Sequence, residues 1–330
     1  MTLLEVKNLS VEFPTADGRV HAVHDISFEV NAGETLAIVG ESGSGKTVTN
    51  LALMGLIPLR TADITGSAKF ESHDGVIDLI KINRKDLQKY RGRDVAMIFQ
   101  DPMSSLHPFY SIGDQIIEAH QIHNQVDLKV SKARAIELLE LVGIQGAAER
   151  IKAFPHQFSG GMRQRVMITM ALVNNPSLLI ADEPTTALDV TVQAQIMKLL
   201  SDLQSELKMA MILITHDMGV VANAADRVNV MYAGRIVESA NVNELYANPS
   251  MPYTQGLLAS VPRMDRAHTD RLPTIPGQPP SMIELPTGCS FNPRCTRQGE
   301  VGGTKCQEQM PELTLRGESH LARCFIGESA

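Results

Sequence analysis

Residues 40–47 read Gly-Glu-Ser-Gly-Ser-Gly-Lys-Thr, and this stretch fits the pattern G-x-x-x-x-G-K-S/T. Glycines in that pattern let the backbone curl so that its N–H groups point at phosphate oxygens. An apolar run, Thr35–Val39, precedes the stretch, and a helical pattern over residues 46–56 follows it. A helix that begins at such a loop directs its positive end at the anion. The stretch therefore predicts a phosphate-binding loop between a buried strand and a helix, with a chance glycine-rich turn as the alternative.

The side chains of this loop predict two further contacts with a nucleotide. Lys46 is expected to reach the β- and γ-phosphates, and the hydroxyl of Thr47 is expected to bind Mg²⁺. The predicted nucleotide-binding residues of the loop are Gly40, Ser42, Gly43, Ser44, Gly45, Lys46 and Thr47.

Apolar runs and helical patterns alternate along most of the chain. Period-2 patterns over residues 3–13 and 22–30 predict antiparallel strands joined by a turn at residues 16–18. Helical spacing occurs over residues 130–142. Further buried strands are predicted at residues 95–99, 178–181, 211–214 and 228–231. Strands separated by helices indicate an α/β fold with a mostly parallel core sheet, here preceded by an antiparallel β part.

An acidic pair, Asp182 and Glu183, follows the apolar run at residues 178–181. In enzymes with a phosphate loop, an aspartate at a strand end holds the Mg²⁺ shell. A neighbouring carboxylate can accept a proton from the attacking water. We therefore predict that Asp182 binds magnesium and that Glu183 is the general base. A solvated, helix-capping pair is the alternative.

Composition limits the function classes. The chain has 330 residues with a net charge of −7 and no tryptophan. An acidic chain argues against non-specific nucleic-acid binding. No run approaches the roughly 18 apolar residues that cross a bilayer, and the N-terminus lacks a secretory pattern. Prolines become frequent after residue 260, so we predict a nucleotide-binding domain over residues 1–260 and a proline-rich linker with a cysteine module over residues 261–330.

All four cysteines lie in this last segment, at Cys289, Cys295, Cys306 and Cys324. A terminal cluster in a chain without a secretory signal indicates a metal or iron–sulfur site. The intervals of five, ten and seventeen residues fit neither a C-x2-C zinc pattern nor a ferredoxin run. From spacing alone, a metal site and unrelated buried thiols both remain open.

Residues 158–165, Phe-Ser-Gly-Gly-Met-Arg-Gln-Arg, resemble the S-G-G-x-x-Q-R signature of ABC ATPases. The resemblance covers essentially the whole chain in the family's motif order. It implies that Gln100 is the Q-loop residue, that Asp189 closes the D-loop of residues 186–189, and that His216 is the switch histidine. It also implies that Phe13 stacks on adenine, although an aromatic residue at this point of a strand is often part of the core.

The resemblance implies an ABC ATPase fold with a helical subdomain before the signature and a small C-terminal extension. In that family two subunits pack head to tail, and each ATP lies between one phosphate loop and the partner's signature. Ser159, Gly160 and Gly161 precede a helical stretch, whose free N–H groups suit a γ-phosphate. Gln100 would contact Mg²⁺ and the attacking water, and His216 would bond the γ-phosphate. The two phosphate-binding helix ends of this chain would then serve two different ATP molecules.

Four segments resemble bacterial dipeptide and oligopeptide importer ATPases, namely residues 96–106, 252–254, 275–277 and 288–289. This resemblance implies a peripheral protein at the cytoplasmic face of the membrane that energises peptide uptake. Expected partners are a second, paralogous ATPase, two permease subunits and an extracytoplasmic binding protein, with no nucleic acid. Relatives that import nickel, glutathione or other small solutes, exporter motors, and non-transport ABC ATPases are the alternatives.

The importer resemblance also implies that the four cysteines bind a 4Fe–4S cluster. A shorter second interval is expected in that family, so residues 299–304 look like an inserted loop. Zinc and free thiols are the alternatives. The expected cofactors are thus ATP, Mg²⁺ and an iron–sulfur cluster.

Overall fold

A computed structural model describes residues 1–101, 105–186, 188–261 and 273–327. Part of the importer-like segment at residues 96–106, one residue of the D-loop and much of the proline-rich stretch lie outside the described residues.

The strands of the described residues are β1 (Thr2–Thr15), β2 (Gly18–Asn31), β3 (Thr35–Val39), β4 (Asp63–Ser72), β5 (Gly75–Asp78), β6 (Val95–Ile98), β7 (Leu178–Asp182), β8 (Ala210–Thr215), β9 (Arg227–Tyr232), β10 (Arg235–Asn241), β11 (Thr314–Leu315) and β12 (Leu321–Ala322). The α-helices are α1 (Lys46–Leu53), α2 (Arg84–Leu87), α3 (Ile112–Gln121), α4 (Leu128–Leu141), α5 (Ala147–Arg150), α6 (Gly160–Leu172), α7 (Val190–Leu207), α8 (Met218–Ala224), α9 (Val242–Ala247), α10 (Pro252–Ala259) and α11 (Lys305–Glu308).

The strands form two sheets. The N-terminal sheet is antiparallel, with the order β2-β1-β4-β5. The larger sheet has the order β11-β12-β10-β9-β3-β8-β7-β6, and β9, β3, β8, β7 and β6 run parallel. Every residue of β3, β7 and β8 is buried, as expected for parallel strands covered on both faces. The predicted fold class is confirmed.

The parallel strands determine where the site lies. The phosphate loop follows β3, the acidic pair ends β7, His216 follows β8, and Gln100 lies two residues beyond β6. Because the carboxyl ends of parallel strands meet at one edge of a sheet, four separate chain segments converge there.

The region before the signature is helical, as predicted. Helices α3, α4, α5 and α6 pack around one apolar cluster that includes Ile116, Leu139 and Ile168. Ser159 starts α6 as its N-cap, and its hydroxyl accepts a hydrogen bond from the Met162 N–H at 3.3 Å. Among the described residues, no helix is long and apolar enough to cross a membrane.

The C-terminal extension packs on the main sheet. β12 pairs with β10, and Cys289, Phe291 and Cys324 share a core with Tyr232 and Tyr253. The division at residue 260 stays a prediction, but the described part of the extension has no hydrophobic core that is separate from the preceding residues.

Candidate nucleotide-binding site

A cavity of about 770 Å³ opens at the edge of the sheet where the four segments meet. It is large enough for a nucleotide-sized ligand, since ligand cavities typically measure about 300–1,000 Å³. Its lining residues are Val20, Ala22, Glu41, Ser42, Gly43, Ser44, Gly45, Lys46, Thr47, Val48, Gln100, Glu183, Thr186, His216 and Met282.

Glycine is required in the phosphate loop for two reasons, its positive φ angles and its close approach to neighbouring backbone. Gly40, Gly43 and Gly45 all have positive φ angles, of 151°, 79° and 104°. A Cβ on Gly40 would lie 2.2 Å from the Met231 carbonyl oxygen, and one on Gly45 would lie 2.4 Å from the Ala22 carbonyl oxygen. Any larger residue at these two positions would therefore collide with backbone.

Lys46 is buried at the first turn of α1. Its Nζ donates to the carbonyl oxygens of Gly40 at 2.7 Å and Glu41 at 2.9 Å. Burial lowers the pKa of Lys46, and the nearby carboxylates of Glu183 and Asp182 act in the opposite direction. The ammonium group is thus held at the centre of the loop, where phosphate oxygens would bind.

Asp182 lies at the end of β7, and the Thr47 hydroxyl donates to its Oδ1 at 3.4 Å. Burial raises the pKa of Asp182 to about 6, although the Thr47 hydroxyl and Lys46 oppose that shift. A hydroxyl and a carboxylate are the hard oxygen ligands that Mg²⁺ takes beside phosphates. The residues present at this point therefore fit a magnesium ion.

Glu183 is held by three polar side chains. Gln100 Nε2 and Thr186 Oγ1 each donate to its Oε2 at 2.9 Å, and His216 Nδ1 lies 3.3 Å from its Oε1. Its φ angle is +46°, in the left-handed region that residues other than glycine rarely adopt. Such backbone strain is found mainly at functional positions. Gln100 and His216, predicted from separate segments, thus meet at one carboxylate.

Seven predicted residues do not line this cavity, and two of them, Gly40 and Asp182, lie beside it in the phosphate loop and at the end of β7. Ser159, Gly160 and Gly161 lie at the start of α6, and Asp189 is the N-cap of α7, where its carboxylate accepts from the Val192 N–H at 2.9 Å. A Cβ on Gly161 would approach the Val192 side chain to 2.8 Å, so the signature packs closely on α7.

Phe13 is also absent from the cavity lining and packs against the core of the N-terminal region. The predicted adenine contact therefore stays a prediction.

The prediction from sequence missed six lining residues, of which Glu41, Val48 and Thr186 lie in or next to predicted motifs and three others do not. Val20 and Ala22 belong to β2, and Met282 comes from the C-terminal extension. The Met282 carbonyl oxygen accepts a hydrogen bond from the His21 N–H at 2.9 Å, which holds the extension against β2. No motif marks these apolar positions, because their role depends on a contact between distant parts of the chain.

The four cysteines lie near one another in the extension. Burial raises the pKa of Cys289 to about 11, and the neighbouring Cys324 and Cys306 thiols add to that shift. Cys295 and Cys306 both act on the pKa of Cys324. No group of three or more histidine, cysteine or acidic side chains in the described ranges is arranged to hold a metal ion. The described side chains therefore do not show the predicted iron–sulfur cluster, which stays a prediction.

Two family models match the chain. A model described as ABC transporter covers residues 23–186, and one described as oligopeptide/dipeptide transporter, C-terminal region, covers residues 237–301. The oligopeptide transport ATP-binding protein of Haemophilus influenzae is 49% identical over 98% of this chain and 97% of its own length. The chain belongs to the ABC transporter ATP-binding proteins. It is therefore an ABC-type ATPase, and its site residues fit ATP and Mg²⁺.

Other members of the ABC family resemble it closely. The dipeptide transport ATP-binding protein of Bacillus subtilis is 46% identical over 98% of this chain and 94% of that protein. Among solved structures, a dimeric ATP-binding cassette bound to ADP and Pi has a TM-score of 0.64 at 25% identity. That match covers 73% of this chain and 99% of the cassette, so the ABC fold is shared over nearly all of that cassette.

Proposed function

We propose that this ABC ATPase energises the uptake of dipeptides or oligopeptides across the cytoplasmic membrane. The observation that carries the proposal is the match of residues 237–301 to the C-terminal region of oligopeptide/dipeptide transporters. Full-length similarity to proteins named for oligopeptide and dipeptide transport adds support. The protein would lie at the cytoplasmic face, beneath two permease subunits that receive peptide from an extracytoplasmic binding protein.

We infer the following roles at the nucleotide. Lys46 binds the β- and γ-phosphates, and the loop N–H groups surround them. Thr47 and Asp182 would hold Mg²⁺, with Gln100 beside them, and that ion neutralises phosphate charge when bound. Glu183 accepts a proton from the water that attacks the γ-phosphorus. The bonds from Gln100 and Thr186 to Glu183 support this role, because they fix one carboxylate oxygen and orient the other.

His216 would report on the γ-phosphate from its position beside Glu183. Its ring lies on the cavity side of that carboxylate and is mostly exposed, so a phosphate can reach it. Phe13 would stack on adenine only if the base extends towards β1.

The residues outside this cavity would act on a second nucleotide. Ser159, Gly160, Gly161 and Asp189 would face the phosphate loop of a second ATPase subunit, which we propose is a paralogue. Their absence from the lining supports this division, since the cavity includes the phosphate loop and excludes the signature. Each ATP would then require residues from two chains.

We also propose, as a separate point, that Cys289, Cys295, Cys306 and Cys324 can bind a 4Fe–4S cluster. The support is that Cys289 and Cys324 share one core against which Cys295 and Cys306 pack, and that the Cys289 N–H donates to the Cys306 carbonyl oxygen at 2.9 Å. The test is iron and sulfide analysis with an absorbance spectrum after anaerobic purification. A folded, colourless and iron-free protein would contradict the cluster, and zinc in its place would identify the alternative metal.

Deletion and complementation test the transport proposal. A strain that lacks this chain and has no redundant system should lose growth on dipeptides or oligopeptides as the sole amino-acid source. The wild-type chain should restore growth, whereas Glu183→Gln should not. Unchanged peptide uptake in the deletion strain would contradict peptide import, and a loss confined to nickel or glutathione uptake would reassign the transported solute.

A further inference from the structure

Glu41, the second residue of the phosphate loop, forms an ion pair with the C-terminal extension. Arg294 Nη1 lies 2.5 Å from Glu41 Oε2, and Arg294 Nη2 lies 3.0 Å from Glu41 Oε1. The arginine side chain is only 4% exposed, whereas that of Glu41 is 29% exposed and lines the nucleotide cavity. Paired bonds of this fork-on-carboxylate kind are the strongest and most directional ion pairs in proteins.

Arg294 is itself held firmly. Its Nε donates to the Pro276 carbonyl oxygen at 2.8 Å, and its guanidinium carbon lies 5.8 Å from the centre of the Tyr232 ring and 6.0 Å from that of Phe291. Its hydrogen bonds to Glu41 raise its pKa above the ordinary arginine value. The guanidinium therefore stays charged and is held in one orientation, so it also fixes the orientation of the Glu41 carboxylate.

The backbone of Glu41 is fixed as well. Its N–H donates to the Tyr253 hydroxyl at 2.8 Å, and its carbonyl oxygen accepts from Lys46 Nζ at 2.9 Å. A chain of direct contacts thus runs from Arg294 through Glu41 to Lys46. A shift of Glu41 would move the ammonium group that binds phosphate.

The charge of Glu41 also needs an explanation. A carboxylate beside bound phosphates repels them, and the effect is large where water is excluded. Arg294, which does not line the cavity, offsets that charge through its ion pair with Glu41. We propose that Arg294 is a positioning residue of the nucleotide site, through which the C-terminal extension neutralises Glu41, fixes the phosphate loop and sets the affinity for MgATP. This inference does not depend on which solute is transported.

The test compares MgATP binding by full-length variants in a fluorescent-nucleotide titration. Arg294→Ala should weaken binding about tenfold, because it leaves Glu41 unpaired beside the phosphates. Adding Glu41→Gln to that variant should recover at least half of the loss on a logarithmic scale, since the unpaired charge is then gone. In the assembled transporter, Arg294→Ala should raise KM for ATP and leave kcat within about threefold.

Arg297→Ala is the matched control. Arg297 lies in the same extension and also pairs with a glutamate, Glu300, at 2.6 Å, but on the exposed side. Its removal should leave MgATP affinity within twofold. Binding by Arg294→Ala within twofold of wild type would overturn the proposal, as would no recovery in the double variant.

If Arg294→Ala does not fold, Arg294→Lys decides the question. Lysine keeps the charge but loses the fork, so affinity should fall several-fold. Affinity equal to that of wild type in this folded variant would likewise overturn the proposal.

Discussion

Glu183 combines a left-handed backbone with three polar neighbours at the end of β7. The Glu183 N–H donates to the Ile214 carbonyl oxygen at 3.0 Å, so the adjacent strand β8 holds this conformation. The carboxylate is therefore oriented before any ligand binds, as a group that must meet one water molecule requires.

Glu183→Gln should abolish turnover while it preserves ATP binding. The amide keeps the shape of the side chain but cannot accept the proton of the attacking water. We expect ATP hydrolysis to fall by at least about 100-fold, with MgATP affinity within about threefold of wild type. Steady-state hydrolysis and equilibrium binding, measured with the partner subunit present, check this. Near-normal turnover would remove Glu183 from the role of base.

Lys46→Ala should weaken ATP binding and abolish hydrolysis, since no other side chain of the loop carries a positive charge to the phosphates. Nucleotide titration of this variant beside Glu183→Gln separates loss of binding from loss of chemistry. ATP bound with unchanged affinity would contradict the assigned role.

Asp182→Asn should stabilise the metal-free protein at alkaline pH. Burial raises the pKa of Asp182 to about 6 from 3.8, so the folded protein binds this proton more readily than the unfolded chain. The stability that protonation of Asp182 contributes is fully present below about pH 4 and is lost as the pH rises through about 6. Asparagine cannot ionise, so the variant does not lose this stability at high pH. We expect its free energy of unfolding to exceed that of wild type by about 1–2 kcal/mol at pH 8 and by almost nothing at pH 4.

Urea unfolding at the two pH values measures this difference. An equal change in the free energy of unfolding at pH 4 and pH 8 would show that ionisation of Asp182 does not cause the change. The same variant should lose the Mg²⁺ dependence of nucleotide binding, so its stability and its function would change in opposite directions.

The positions of the phosphate loop and of the acidic strand end could be predicted because their spacing in the sequence is itself the structural requirement. Lys46 must follow the loop glycines, and Asp182 must end an apolar strand. Met282 and Arg294 could not be predicted, since each reaches the site only when the extension packs against β2 and the phosphate loop. No local pattern encodes that contact.

At the scale of elements, the apolar strands of the main sheet were predicted from the sequence, whereas β10, which contains charged residues, was missed. β10 contains Glu238, a fully buried carboxylate that interrupts the apolar pattern. The N–H groups of Ser250 and Met251 donate to it at 2.6 and 3.1 Å, and His320 Nε2 lies 2.6 Å from its Oε1. A buried carboxylate is tolerated only with such partners, which come from elsewhere in the sequence.

His320→Ala should therefore destabilise the fold where β10 meets the extension. Both side chains are almost fully buried, and removing one partner leaves Glu238 under-bonded. We expect a loss of about 3 kcal/mol in the free energy of unfolding. Lys198→Ala is the control, because its pair with Asp202 is exposed and should be worth less than about 0.5 kcal/mol. A His320→Ala loss no larger than that of the control would contradict this account.

On the scale of the whole molecule, the proposed roles give one chain residues for two nucleotide sites. Its own cavity contains the phosphate loop, Gln100, Glu183 and His216, whereas the signature at the start of α6 lies outside it. Under this proposal a complete site would need a second subunit, and nucleotide binding should be coupled to association.

Sedimentation of the Glu183→Gln chain, mixed with the second ATPase of its transporter, tests this claim most directly. We predict that MgATP converts the mixture from monomers to dimers, and that Gly161→Val in this chain weakens the conversion, because a collision with Val192 of the same chain would displace the signature. The mixture remaining monomeric at saturating MgATP, with nucleotide bound, would contradict the account.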